Sequence, residues 1–262
     1  MLFKRELRRN VKSFIVSCLV CSLMVVYVIS IAPSFGENIQ QIIDLKFPKP
    51  LQKAFGISEL DFSNPVGFFG IMFSYIYLFF SIYTAGVFSS IVSKEFTEKT
   101  AEYLFSLPAN RIQIMISKLL VAIIYALLTI IILYGLTIIS FTIFIGDNYN
   151  QTPLFLMALS WLIGGITFGS IAFLVSSFFS KQRTISAISV GMVMVMYMFQ
   201  VIISMNKKLE NLKYISPFDW FKGSDIANSG TISGTYILIA ITISISCLIV
   251  GIILFNKKDV LV

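Results

Sequence analysis

Six stretches of this chain contain no Asp, Glu, Lys, Arg or His, and nothing constrains the possible folds more than they do. They run over 14–32, 68–92, 119–145, 154–179, 185–203 and 236–255. A helix rises about 1.5 Å per residue and a bilayer's hydrocarbon core is about 30 Å thick, so each stretch suffices to cross as a helix. The composition agrees: with 57% hydrophobic and 13% charged residues, the 262-residue chain is far more apolar than a soluble domain. The expected fold class is therefore an all-α membrane protein with six transmembrane helices, built as one membrane domain over 14–262 after a short leading segment, 1–13.

The charges between the stretches are not shared evenly. Lys4, Arg5, Arg8, Arg9 and Lys12 precede the first stretch, and Lys94, Lys99, Arg111 and Lys118 lie between the second and third. Lys181 and Arg183 separate the fourth from the fifth, and Lys257 and Lys258 follow the sixth. These belong to one side of the membrane and make thirteen of the 20 Lys and Arg residues. The other side holds Lys46, Lys49, Lys53, Lys207, Lys208, Lys213 and Lys222, in loops that are longer in total. Basic loops stay in the cytoplasm, which places both termini there. The net charge of +7 then reflects topology and contact with anionic lipid, and no nucleic-acid partner is expected.

Within 1–13, Phe3, Leu7 and Val11 form with Phe14 an apolar stripe opposite Lys4, Arg5, Arg8, Arg9 and Lys12. That is the pattern of an amphipathic helix lying in the membrane interface. A secretory signal peptide is the alternative, since Ser30-Ile31-Ala32 has the form of a cleavage site. The apolar run exceeds a usual signal core, and an even number of spans results if it is kept.

The charge-bearing segment 94–118 is the most informative of the loops. Read as a helix, Phe96, Thr100, Tyr103, Leu104 and Leu107 fall on one face, and Glu95, Glu98, Lys99, Glu102 and Ser106 on the other. Pro108 ends such a helix because its ring clashes with the preceding turn. Asn110 can cap the next helix, with Gln113 as reciprocal partner. A solvated loop helix would have the same two faces. The spacing of Glu95, Thr100, Glu102, Leu104, Ser106, Pro108 and Arg111, with Lys118 beyond, resembles the loop between the second and third spans of ABC-2-type transporter permeases. Lys99 stands where that family often has Gly.

The resemblance extends along the chain. Asn64-Pro65-Val66-Gly67-Phe68-Phe69 at the entry to the second span, Ser216-Pro217-Phe218 before the last, and the ending Phe255-Asn256-Lys257-Lys258-Asp259 each resemble stretches of the same family, in the same order. It implies the ABC-2 permease fold, with a leading interfacial helix, a cytoplasmic coupling helix and short outer helices. It also implies that Glu95, Phe96, Glu98, Thr100, Glu102, Tyr103, Leu104, Pro108 and Arg111 couple the chain to a separate ATP-binding-cassette ATPase subunit. ATP and Mg would be bound by that partner, with none held here. A second permease copy, identical or paralogous, would complete the path in a bacterial cell membrane.

Small residues mark where helices should pack. Gly165 and Gly169 share one face of the fourth span, and Ser81, Ala85 and Ser89 share one of the second, so backbones can approach there. Met192, Met194, Met196 and Met198 spread around the fifth span, as core filling or as a permissive lining. In the outer segments, 33–67 carries Ile39, Ile42, Ile43, Phe47, Leu51 and Phe55 between prolines, suited to a loop helix resting on the membrane. In 204–234, Leu209, Leu212, Tyr214, Ile215, Pro217-Phe218 and Trp220-Phe221 suit short helices dipping into the outer leaflet, with aromatics at headgroup level.

Several function classes fall away. No ionisable residue lies inside the six apolar stretches, whereas ion-coupled carriers need a buried one. The pattern G-x-x-x-x-G-K-[S/T] is absent from these residues, so ATP hydrolysis by this chain is not expected. Cys18, Cys21 and Cys247 read as small apolar fillers, not metal ligands, and no catalytic constellation is visible. Two classes remain. One is an exporter permease moving hydrophobic or amphipathic cargo (peptide, lipid or drug-like). The other is an ATP-independent channel, scaffold or lipid-handling protein.

Overall fold

The computed structural model describes residues 2–34, 48, 52, 64–97, 111–179, 181–205 and 207–257. Among these, all regular structure is helical. The long helices are α1 (Leu2–Ile31), α2 (Pro65–Thr97), α3 (Arg111–Phe144), α4 (Gln151–Phe178) and α5 (Gln182–Met205). A 3-10 turn at Lys207–Tyr214 leads to two short helices, α6 (Pro217–Trp220) and α7 (Gly223–Ser229), and then to the last long helix, α8 (Gly234–Lys257). Another 3-10 turn, Ala32–Ser34, closes α1. Six helices are long and apolar enough to cross a membrane. Each contains one of the charge-free stretches to within a residue, and most overrun it, because polar and charged turns continue the helix where lipid ends.

Local chemistry sets several of the starts. Asn64 accepts a hydrogen bond from the Val66 amide at 3.0 Å, with Pro65 as the first helical residue of α2. Proline loses nothing there, since that N–H has no partner inside the helix. Asn150 caps α4 in the same way, accepting from the Thr152 amide at 3.0 Å. Within the apolar helices several hydroxyls bond to their own backbone, while the buried hydroxyls of Ser81 and Ser189 meet no hydrogen-bond partner among the described residues. Thr84 bonds to the Phe80 carbonyl, Thr137 to that of Leu133 and Thr167 to that of Ile163. Such bonding lets Ser and Thr lie in a low-dielectric span without an orphaned polar atom.

The bundle is organised about α2 and α4. Of the apolar window in each, 61% is buried, against 22% in α1 and α5 and 17% in α8, so these two are central and the others face outward. Between them Trp161 stacks on Phe73 at 5.3 Å and donates its indole N–H to the Phe73 carbonyl at 3.4 Å. Gly165 and Gly169 both face α2, and the hollows they leave are filled by the rings of Phe80 and Phe88. The small residues of α4 therefore admit aromatic side chains from α2. Ser81, Ala85 and Ser89 are themselves fully buried.

Around this centre, α8 packs on α4, α1 packs on α3, and α5 packs on α2. Ser244 of α8 donates across to Thr167 of α4 at 3.2 Å. Met192 and Met196 of α5 pack on the core, while Met194 and Met198 are exposed on its far side.

Candidate functional site

At the end of the bundle that carries most of the basic residues, α2 and α3 outrun the bilayer. At 33 and 34 residues they are about 50 Å long, well over the hydrocarbon thickness. α2 runs on through Lys94, Glu95 and Phe96 to Thr97, and α3 starts at Arg111. Glu95 and Phe96 thus lie in the last turn of α2 and Arg111 at the first position of α3. Glu98, Thr100, Glu102, Tyr103, Leu104 and Pro108 lie outside the described residues, as does Asn110, the expected cap of α3.

What holds the two helix ends is a satellite core distinct from the main one. Val87 and Phe88 of α2 meet Met115, Leu119 and Ala122 of α3 and Phe173 of α4. Leu248, Ile252 and Phe255 of α8 cover it. Four helices are thereby gathered at the last turns of α2 and the first turns of α3.

The start of α1 joins the same end. Residues 2–31 form a single helix, so no break divides the leading segment from the first span. Arg5, Arg8 and Lys12 are exposed, as expected of a basic face; Lys4 is helical. The apolar stripe meets α3: the Tyr125 hydroxyl donates to the Leu7 carbonyl at 2.6 Å, and the Phe14 and Tyr125 rings lie 4.9 Å apart.

Glu6, a lone acid among those bases, is 3% exposed. Its carboxylate takes the Lys118 ammonium of α3 at 3.2 Å and Arg9 of its own helix at 3.8 Å. Lys118 is equally buried, and Asn10 donates its side-chain amide to the Glu6 carbonyl. Sequence reasoning passed over Glu6 because counting Lys and Arg gives acids no weight. The available signal was one carboxylate within two turns of five cations.

At the opposite end Phe218, Trp220 and Phe221 are buried within the protein, at 1%, 4% and 1% exposure. Phe218 lies against Tyr77, Phe168 and Tyr197 of three different long helices. The Ser216 hydroxyl bonds to the Met196 carbonyl of α5 rather than capping α6, which draws the short helix inward. α7 follows directly against α2: a Cβ on Gly70 would stand 2.8 Å from the Gly223 carbonyl, so only glycine permits this approach.

Asp219, in α6, was also missed by sequence reasoning. Its carboxylate is fully covered and pairs with Lys222 at 2.9 Å. Burial pushes its pKa up from the usual carboxylate range, while Lys222 pulls it back. Nearby, a pocket of about 420 Å³ is lined by Asn64, Asn148, Tyr149, Asn150, Pro153 and Ala227, among others. It offers amides and a phenol for hydrogen bonding but no charge.

No cluster of three or more metal-ligating side chains occurs among the described residues. Cys21 is buried, and the Cys18 thiol points at the Thr129 hydroxyl, 3.7 Å away. A sequence model of the family described as "ABC-2 family transporter protein" matches residues 1–260. No curated protein matches the chain.

Proposed function

The chain belongs to the ABC-2 family of transporter proteins, and from that premise we propose that it is the permease subunit of an ATP-driven exporter. In this reading the basic end is cytoplasmic, both termini lie there, and the membrane is the bacterial cell membrane. Residues 98–110 dock in a separate ATP-binding-cassette subunit, which binds ATP and Mg. One observation carries the reading furthest. α2 and α3, at 33 and 34 residues, are longer than a hydrocarbon core requires, and a four-helix satellite core braces the last turns of α2 and the first turns of α3.

Two copies would pair across the weakly buried helices. On α5, Met194, Val195, Met198, Phe199 and Ile202 are exposed, an apolar face suited to a second permease or to lipid. The charge-free interiors of the spans favour hydrophobic or amphipathic cargo, with amphipathic peptides as the preferred class.

Expression with its cognate ATPase tests the reading. The chain should co-purify with a subunit bearing a P-loop, and ATP turnover should require that subunit. Robust hydrolysis by the isolated chain would refute the separate ATPase subunit, and cargo flux in vesicles lacking any ATPase would establish the ATP-independent class instead.

A further inference from the structure

We propose that Glu6 and Lys118 are positioning residues whose buried ion pair joins α1 and α3 into one rigid unit, so that movement at the start of α3 is carried into α1. The pair is the first of a series of contacts between two helices that run in the same direction. Glu6 meets Lys118, Leu7 and Phe14 meet Tyr125, and Cys18 meets Thr129. From Phe14 to Cys18 and from Tyr125 to Thr129 is four residues in each helix, so α1 and α3 keep a common register over this turn. Lys118 stands seven residues, about two turns, after the first residue of α3. Any force entering at that end reaches Lys118 before it reaches the apolar part of the span.

The chemistry favours a positioning role over bulk stability. Both partners are desolvated, with side chains 3% and 4% exposed, and a buried pair commonly contributes little net stability compared with an apolar pair of the same size. What such a pair supplies is geometry, because each charge tolerates only the arrangement that brings the other to it. Arg9 lies 3.8 Å from Glu6 on the same helix, so it remains to neutralise the carboxylate when Lys118 is replaced.

This inference rests on the exporter reading only for its consequence in transport, and the experiment separates the two. Spin labels are placed at Arg5→Cys and Ile112→Cys, both exposed, with Cys18, Cys21 and Cys247 replaced by Ser, in the complex reconstituted with its ATPase. The distance distribution between α1 and α3 should be narrow with the native pair and broad in Lys118→Met. It should narrow again in the exchanged double variant Glu6→Lys with Lys118→Glu. Export per ATP hydrolysed should fall about fivefold in Lys118→Met and recover in the double variant, at unchanged expression. A distribution equally narrow in Lys118→Met overturns the rigid unit. Broadening with undiminished export per ATP overturns its part in transport. If the native complex shows no ATP-dependent export, the exporter reading fails, while broadening and rescue by charge exchange still establish the pair as the joint between α1 and α3.

Discussion

A Cβ on Gly169 would stand 2.8 Å from the Phe88 ring, so the contact between α4 and α2 at this level exists only because position 169 has no side chain. Phe88 also belongs to the satellite core that braces the start of α3. The small residue in α4 is therefore a condition for seating the helices that frame 98–110.

Gly169→Leu should accordingly lower stability by about 1–3 kcal/mol through overpacking. Gly191→Leu, where a Cβ meets nothing within 4 Å, is the matched control. Thermal unfolding of both variants in detergent decides the matter. Equal midpoints would show that Phe88 yields without cost.

Asp219 makes a pH prediction with a definite sign. Because burial raises its pKa in the folded state, the folded chain binds more protons than the unfolded one between the ordinary carboxylate value and the raised one. The stability from this group is therefore greatest at low pH and falls as pH rises through that window. Asp219→Asn should remove that slope, and Lys222, which is partly exposed, should keep its charge in water without large penalty. Unfolding midpoints taken from pH 4 to 7 for both proteins test this. A slope that survives in the Asn variant would assign it to other carboxylates.

How much of this was legible in the sequence depends on range. The long helices were, because lipid imposes helicity on any long charge-free run and the runs are read directly from residue type. The caps at Asn64 and Asn150 act over only two residues, yet the sequence reading did not single them out as caps. The burial of Phe218 and Trp220 was not legible. Aromatics flanking a span usually sit at the interface, and here long-range contacts draw α6 inward, the tether from Ser216 to Met196 and the rings of Tyr77, Phe168 and Tyr197 around Phe218. The pairing of Glu6 with Lys118 spans 112 residues and was hidden for the same reason. Most of the coupling motif lies outside the described residues, so its residues keep the standing of a resemblance.

Sidedness can be tested without any assumption about transport. A cysteine introduced at Asn110 should react with a membrane-impermeant thiol reagent only from the cytoplasmic side, and one at Asn211 only from outside. The basis is the distribution of the 20 Lys and Arg residues, thirteen of which fall on one side. Reversed labelling would place the satellite core and the Glu6–Lys118 pair on the outer face and remove the docking role proposed for 98–110.

The sharpest prediction concerns Glu102 and Leu104. If 96–107 is a helix wedged into an ATPase cleft, docking draws on its apolar stripe, with charges at the rim. Truncating Tyr103 or Leu104 to Ala should then cost about 1–3 kcal/mol of docking free energy each, as expected for buried anchors at an interface. Glu102→Ala should cost more than that where the carboxylate meets a desolvated Arg or Lys on the partner, and far less where it stays in water. The described core that holds α2 and α3 is built from Val87, Phe88, Met115, Leu119 and Ala122, so insertion and folding are expected to persist in these variants and are checked by expression. The expected outcome is a complex that still assembles at high subunit concentration and turns over ATP, but whose turnover no longer responds to cargo and no longer drives export. An ordinary solvated loop helix tolerates surface changes to within about 0.5 kcal/mol and would leave both activities as in the wild type. Cargo-stimulated ATPase and export are to be measured side by side, at matched expression, for Glu102→Ala and Leu104→Ala. Wild-type values in both would strip the segment of its coupling role and leave the braced ends of α2 and α3 as structural overhangs.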